Sequence, residues 1–168
     1  AQALAARVIA TSPTPLFRSV RIDRGGSDGV ARGATVMTHR GLVGRVVATS
    51  DDWADVMLLV DANSSVDALV QRTRARARVR GDGGDRSLSL QLEFLARTAD
   101  VRPGDVMITS GVGSVFPKGL RLGIVETVER PAFGLYQRAS IAPTADFERL
   151  AEVLVLAPDG HRDLPVEG

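Results

Sequence analysis

Val30-x-x-Gly33-x-x-Val36, followed by Gly41-Leu42-x-Gly44-x-Val46, is the stretch that decides the fold. A related stretch follows later, Val101-x-x-Gly104-x-Val106 with Gly119-Leu120-x-x-Gly123-x-Val125. Each copy predicts a turn, a strand, a glycine turn and a second strand. Glycine is favoured in turns that need a positive φ because it has no Cβ to clash. The repeat therefore predicts two related β units.

Strand signals extend outward from this repeat over most of the chain. The clearest is Ser87 to Phe94, whose strict alternation predicts four apolar side chains on one face. Many short strands separated by glycine-rich and proline-rich turns indicate a barrel or a sandwich. We therefore predict an all-β fold of two small, related β-barrel domains of roughly six strands each. The candidate strands are 7–10, 18–23, 34–38, 42–49, 54–60, 65–72, 75–80, 87–94, 105–109, 120–129, 136–142 and 152–156.

Domain boundaries follow from the charged, glycine-rich span between Arg72 and Asp85. We place the first barrel at 1–71 and the second at 72–145. The strand at 152–157 contains the apolar run Val153 to Leu156, which predicts burial on both faces and a return to the first barrel. Residues 158–168 are predicted to be a flexible tail.

Two segments have helical composition. Ala1 to Val8 is rich in Ala and Leu, and Asp146 to Glu152 offers one or two turns with Asp146 as the N-cap. Both are too short to form a domain of their own.

Composition excludes several classes of protein. Hydrophobic residues make up 44% of the 168 residues, which is enough for a folded core. A formal net charge of +1 argues against a protein that coats nucleic acid. The chain has no cysteine, which excludes disulfides and thiol catalysis, and no cluster has metal-ligand spacing. We predict no metal and no cofactor.

Five ordered stretches between Phe17 and Leu156 resemble the extracytoplasmic β region of the rod shape-determining protein MreC family. They match the family in order and in spacing over most of the chain. The stretches are Ile22-Asp23-Arg24-Gly25 with Asp28-Gly29-Val30, Gly41 to Val47, Leu58 to Val66, Gly104-Asp105-Val106, and Thr109 to Gly119.

The resemblance implies a non-enzymatic scaffold of the cell-elongation machinery. Family members carry a membrane helix and a coiled coil before two barrels outside the cytoplasmic membrane. They self-associate, bind the class B penicillin-binding transpeptidase of lateral-wall peptidoglycan synthesis, and work with an MreD-type membrane protein. In this chain the resemblance implies that Ala1 to Arg7 ends the coiled coil, and that membrane attachment lies in a segment missing from this chain.

Three enzymatic alternatives have weaker support. His39, Asp61 and Ser114 follow the chain order of a chymotrypsin-like barrel protease, but the usual glycine setting of the serine is absent, and His161 lies in the tail. Asp51, Asp52, Asp55 and Asp61 are glycosidase candidates by count alone. The run Gly81 to Asp85 lacks the Lys-Ser or Lys-Thr of a phosphate loop and predicts a hairpin turn.

An arginine ladder supports a third class of function. Arg72, Arg74, Arg76, Arg78 and Arg80 alternate with other residues, so an extended segment would place all five on one face. Such a stripe predicts a docking surface for an anionic partner. The alternative interpretation is an edge strand exposed to solvent, whose charges prevent it from pairing with the sheet edge of another molecule. Single-strand nucleic-acid binding is disfavoured because stacking aromatics are scarce.

Large apolar residues in turns are the other candidate contact sites. They are Phe116 with Pro117, Phe133 with Tyr136, and the single tryptophan, Trp53. Aromatic residues and Arg contribute most of the binding energy at protein interfaces, so these residues are candidates for partner contact. The alternative interpretation is that their rings fill the ends of the barrels and are part of the core. We therefore predict partner-binding roles for Phe116, Pro117, Phe133, Tyr136, Trp53, Arg74, Arg76 and Arg78. Edge strands are predicted to pair between copies of the chain.

Overall fold

Twelve strands build the structure, a computed structural model that describes residues 3–12, 17–83 and 88–156. The prediction of an all-β fold with two six-stranded barrels is confirmed. Within the described ranges the only helical elements are two 3₁₀ turns, at Gly26–Asp28 and Val112–Ser114. The strands are β1 Ala3–Thr11, β2 Ser19–Ile22, β3 Thr35–Thr38, β4 Gly41–Thr49, β5 Ala54–Leu58, β6 Ser65–Val70, β7 Arg76–Gly81, β8 Leu90–Ala96, β9 Val106–Thr109, β10 Arg121–Glu129, β11 Tyr136–Pro143 and β12 Glu152–Leu156.

The two barrels share one cyclic strand order. The first runs β3-β4-β5-β2-β1-β12 and the second runs β9-β10-β11-β8-β7-β6, with antiparallel neighbours throughout. In chain order, β1–β5 are followed by β6, and β7–β11 are followed by β12. Each half of the sequence therefore supplies five strands to its own barrel and one strand to the other. The two barrels are linked by a reciprocal exchange of their sixth strands.

This exchange changes the domain boundaries drawn from the sequence. β6 lies before residue 72 but pairs with β7 and β9, so it belongs to the second barrel. β12 pairs with β1 and β3 of the first barrel. Residues 72–83 of the charged span that suggested a boundary at 71/72 form only the β6–β7 turn, strand β7 and the two residues after it. Residues 158–168, the predicted tail, lie outside the described part of the chain.

Both barrels are closed, so neither has the free sheet edge that the predicted pairing of edge strands between copies requires. Each strand has a hydrogen-bonded neighbour on both sides in its barrel. A closed barrel leaves no row of unpaired N–H and C=O groups along a strand to receive a second copy. The prediction of edge-strand pairing between copies is therefore wrong, and so is the edge-strand alternative for β7.

The glycine repeat occupies equivalent positions in the two barrels. Gly33 (φ 92°) donates its N–H to the Val46 carbonyl at 2.8 Å, and Gly104 (φ 95°) donates to the Val125 carbonyl at 2.7 Å. Both glycines need the left-handed region that residues with a Cβ rarely adopt. The repeat in the sequence is thus one turn-and-strand unit used twice.

The core is aliphatic, as the low aromatic content requires. Ile22 and Leu42 fill the first barrel and Leu122 and Ile141 fill the second, each with no exposed surface. Burial of one such side chain stabilises the fold by roughly 1.5–3 kcal/mol. The buried residues of both barrels form one contiguous cluster.

Both helical predictions are wrong. Ala3–Thr11 is strand β1, paired with β12 and β2, because these long-range ladders outweigh the weak helical preference of Ala and Leu. The implied end of a coiled coil at Ala1 to Arg7 falls on the same strand where the structure describes it. At Asp146 the chain makes only a turn, in which its Oδ1 accepts the Glu148 N–H at 3.2 Å.

Candidate functional site

Four large apolar side chains are exposed on the second barrel, on the neighbouring strands β8 and β11 and on the connection that leads into β11. The exposed fractions are 59% for Phe94, 89% for Phe133, 76% for Leu135 and 46% for Tyr136. Phe94 lies in β8, and the other three lie at the β10–β11 connection and the start of β11. We call these four residues the aromatic face. Exposed apolar surface of this density on a folded protein marks a contact site.

Phe94 reaches this surface through an irregular backbone. Its φ is 59°, and the β8–β11 register shifts between Gln137 and Ala139. The bulge turns Phe94 outward and leaves the next residue, Leu95, fully buried. The prediction that Phe94 shares one face with the other alternating apolar residues is therefore wrong, because Leu90 and Leu92 are buried. A bulky residue at positive φ is strained, and such strain is concentrated at functional surfaces.

Ring contact joins the two strands of the aromatic face. The Phe94 and Tyr136 ring centroids lie 5.6 Å apart with an interplanar angle of 83°, an edge-to-face pair. Such pairs contribute about 0.5–1.5 kcal/mol beyond burial alone. The contact between the two rings restricts the orientations of both side chains.

The connection that carries Phe133 and Leu135 is held by hydrogen bonds. The Leu135 carbonyl accepts the Arg97 N–H at 2.9 Å, and the Arg97 guanidinium donates to the Pro131 carbonyl. The buried Gln137 amide donates to the carbonyls of Ala96 at 2.9 Å and Ala99 at 2.8 Å. A surface ordered in this way loses less conformational entropy when it binds.

The arginine ladder is shorter than the sequence predicted. The chain turns at Thr73 and Arg74 (φ 66°), so only Arg76, Arg78 and Arg80 share the outer face of β7. Arg76 pairs with Asp67 at 2.9 Å and Arg80 with Glu93 at 3.2 Å, while Arg78 donates to the Ser65 hydroxyl at 3.1 Å. These contacts compensate part of the stripe's charge.

Arg72 is not on the outer face of β7. It lies in the β6–β7 turn and binds two aspartates of the β8–β9 connection. Its guanidinium donates to both carboxylate oxygens of Asp105, at 2.8 and 2.9 Å, and to both of Asp100, at 2.9 and 3.2 Å. The hydrogen bonds from Arg72 lower the pKa of Asp105 and of Asp100, and burial partly opposes this at both groups. Asp105 is only 9% exposed, so its pairing with Arg72 is a structural bond of the barrel.

Acid is expected to weaken the second barrel through Asp105. Because its pKa in the folded chain is lowered from 3.8, its contribution is complete above that value and is lost as the pH falls through the lowered pKa. We expect the thermal midpoint of the wild type to drop in that acidic range. The Asp105→Asn variant should be less stable at neutral pH and should lose less on acidification. Thermal unfolding from neutral pH to about pH 2 checks this.

A matched control is Asp52→Asn, which removes an exposed turn carboxylate without an ion pair in the described part of the structure. Its pH profile should follow that of the wild type. An Asp105→Asn profile that also follows the wild type throughout would contradict the role of Asp105.

Phe116 lies where the two barrels meet, whereas the neighbouring Pro117 is exposed. Phe116 is 9% exposed and lines a cleft of about 290 Å³ together with Met57 and Leu59 of the first barrel. The Pro117 carbonyl accepts the Thr109 hydroxyl at 2.6 Å. Phe116 thus packs between barrels, and its ring is not part of a free surface.

Trp53 lies on the first barrel beneath an arginine. The Arg21 guanidinium is 3.7 Å from the centre of the Trp53 ring and pairs with Asp55 at 2.9 Å. This stacking covers one face of the indole. The structure therefore separates the predicted residues, because Phe133 and Tyr136 share the aromatic face whereas Phe116 and Trp53 lie elsewhere.

Two of the carboxylates proposed for the enzymatic alternatives are engaged in other contacts. Asp61 is fully buried, and its two carboxylate oxygens accept the N–H groups of Arg18 at 2.6 Å and Asn63 at 2.7 Å. It is therefore committed to the backbone and does not orient the exposed His39. Asp55 is held by Arg21. His161 lies outside the described residues.

Metal sites and membrane-spanning helices are both absent from residues 3–12, 17–83 and 88–156. In these ranges no group of three or more His, Cys, Asp or Glu side chains is arranged to hold a metal ion. The same ranges contain no helix with the length and apolar character needed to cross a membrane.

Comparison with known proteins identifies relatives over most of the chain. The family model described as "Rod shape-determining protein MreC, barrel core" matches residues 8–157. The cell shape-determining protein MreC of Escherichia coli strain K12 is 36% identical over 155 residues, which cover 92% of this chain and 42% of that protein. The chain thus spans less than half the length of that relative.

Solved structures share the fold. The crystal structure of MreC from Pseudomonas aeruginosa is 33% identical, with a TM-score of 0.88 and coverage of 93% of this chain and 99% of that one. A complex between penicillin-binding protein PBP2 and MreC from Helicobacter pylori contains a chain that is 15% identical, with a TM-score of 0.66. It covers 92% of this chain and 98% of that one, and at this identity it shows the fold alone.

Proposed function

Because this chain belongs to the rod shape-determining protein MreC family, we propose that it is a scaffold of the machinery that builds lateral-wall peptidoglycan. In this proposal the aromatic face of the second barrel binds the class B penicillin-binding transpeptidase. In this proposal the protein acts by contact and positioning, which is in line with the description of its relatives as cell shape-determining proteins.

The aromatic face is the single observation that carries the proposal. Phe133 and Leu135 expose most of their side-chain surface at a connection that hydrogen bonds hold in place. Protein interfaces are centred on buried aromatic anchors with arginine nearby, and Arg138 stands two residues beyond Tyr136 on the outside of β11. Covering these side chains removes a large apolar area from water and stabilises a complex.

The comparisons support the choice of partner. The Helicobacter pylori chain with the same fold forms a complex with PBP2. We extend this partner class to the present chain and place the complex outside the cytoplasmic membrane, where the transpeptidase acts on the cell wall. Attachment to the membrane, contact with an MreD-type membrane protein and self-association belong to the same proposal.

Capture from membranes tests this function. The full-length protein, immobilised on beads, should retain a penicillin-binding transpeptidase from detergent-solubilised membranes of its own source, detected with a fluorescent penicillin. An apolar contact predicts that most of the signal survives a wash at high salt, because salt screens charge pairs but not apolar burial. Absence of every penicillin-labelled band, with the bait shown to be folded, would refute the proposal.

A further inference from the structure

A second, chemically different surface lies on the first barrel. A groove of about 710 Å³ runs beside β1 and β12 and is bordered by the β3–β4 turn and the segment before β12. Its volume falls within the range of roughly 300–1,000 Å³ that ligand sites occupy. None of the residues of the aromatic face lines it.

Arginines are the most numerous charged residues of the groove, with four of them against three carboxylates. Arg7, Arg24, Arg40 and Arg149 line it, and none of the four is in an ion pair within the described residues. Only Arg24 has a side-chain hydrogen bond in that part of the chain, to the Asp23 carbonyl at 3.3 Å. A guanidinium group offers five donors and no acceptor, so these walls present unused donors.

Three carboxylates also line the groove, but two are already engaged. Asp23 accepts the Arg7 N–H at 2.8 Å, and Asp146 accepts the Glu148 N–H at 3.2 Å. Only Glu152 is exposed and without such a contact in the described ranges. With four guanidinium groups against three carboxylates, the groove has a small excess of positive charge and four arginines without an ion pair in the described ranges, which favours an anionic ligand.

The lining between these charges is apolar and made largely of small residues. Ala5 and Ala151 leave room, and Leu150 and Leu154 add apolar surface, with Leu154 37% exposed. A small inorganic anion would satisfy the arginines and leave this surface uncovered. A chain that alternates carboxylates with apolar side chains would satisfy both, because successive side chains of an extended peptide point to opposite sides.

We propose that this groove binds an extended acidic and apolar segment of a partner protein. Carboxylates of that segment pair with Arg40 and Arg149, and its apolar side chains cover Leu150 and Leu154. The site is independent of the partner at the aromatic face. The scaffold can then hold two proteins at once, one on each barrel.

A labelled peptide of alternating leucine and glutamate tests the proposal by fluorescence anisotropy. It should bind the wild-type chain, and the Arg40→Glu/Arg149→Glu variant should bind it at least about tenfold more weakly. The matched control Arg32→Glu/Arg45→Glu makes the same charge change on exposed residues of the first barrel that do not line the groove, and it should leave binding nearly unchanged. Both double variants should keep the wild-type thermal transition, because surface substitutions change stability little.

Peptide composition separates the other outcomes. A leucine–lysine peptide and a serine–glutamate peptide should both bind more weakly than the leucine–glutamate peptide. Equal weakening by the two double variants would show general charge attraction and overturn the site. Equal binding of the serine–glutamate peptide, or no binding of the leucine–glutamate peptide at millimolar concentration, would also overturn it. None of these results depends on whether the transpeptidase is captured.

Discussion

Neither half of the chain should fold alone when it is divided between residues 71 and 72. The first half contains β1–β5 and β6, whereas its barrel closes only with β12. The second half lacks β6 in the same way. An open barrel exposes unpaired backbone groups and its apolar interior, and both costs are large compared with a total stability of about 5–15 kcal/mol. Mixed halves should regain the native sheet by exchanging their sixth strands.

Amide dispersion in NMR spectra and cooperative thermal unfolding measure this result. The matched control is a fragment of residues 62–146, which contains β6–β11 and therefore every strand of the second barrel. It should fold by itself. Native-like dispersion and a cooperative transition in the isolated 1–71 fragment would contradict the strand exchange.

Local patterns were enough to predict the strands but not their partners. Alternation and glycine turns are properties of neighbouring residues, and all twelve predicted strands occur in the structure. Pairing depends on residues far apart in the chain, as in the ladder of Ala3 with Leu156. The apolar run Val153 to Leu156 was enough to infer that the last strand returns to the first barrel, but not that β6 joins the second. The helical interpretation of β1 failed for the same reason. The predicted burial of β12 on both faces is wrong, because Leu154 is 37% exposed.

Backbone irregularities limited the prediction of the candidate site. Phe133 and Tyr136 could be chosen because aromatic residues in a turn are unexpected. Phe94 was missed because the bulge that turns it outward depends on the register between β8 and β11. Arg74 was placed on a straight ladder because its left-handed φ of 66° has no glycine to signal it. Roles of these residues in partner binding stay predictions.

Loss of the aromatic face should weaken partner binding by about 100-fold while the fold is kept. In the Phe133→Ser/Leu135→Ser variant, two side chains that are 89% and 76% exposed become small and polar. Substitution of an interface residue that costs about 1.4 kcal/mol weakens binding tenfold, so loss of both side chains should weaken transpeptidase binding by about 100-fold. The folded chain alone loses little, because the two side chains contribute little to its core.

Titration of the purified transpeptidase ectodomain into the full-length scaffold is the most direct test of the central claim. Three proteins are compared: the wild type, Phe133→Ser/Leu135→Ser, and the matched control Ile9→Ser/Phe17→Ser on the first barrel, where the side chains are 56% and 61% exposed. We predict that the first variant binds about 100-fold more weakly and that the control binds like the wild type. Wild-type affinity in the first variant, with binding lost in the control, would contradict the aromatic face as the docking surface.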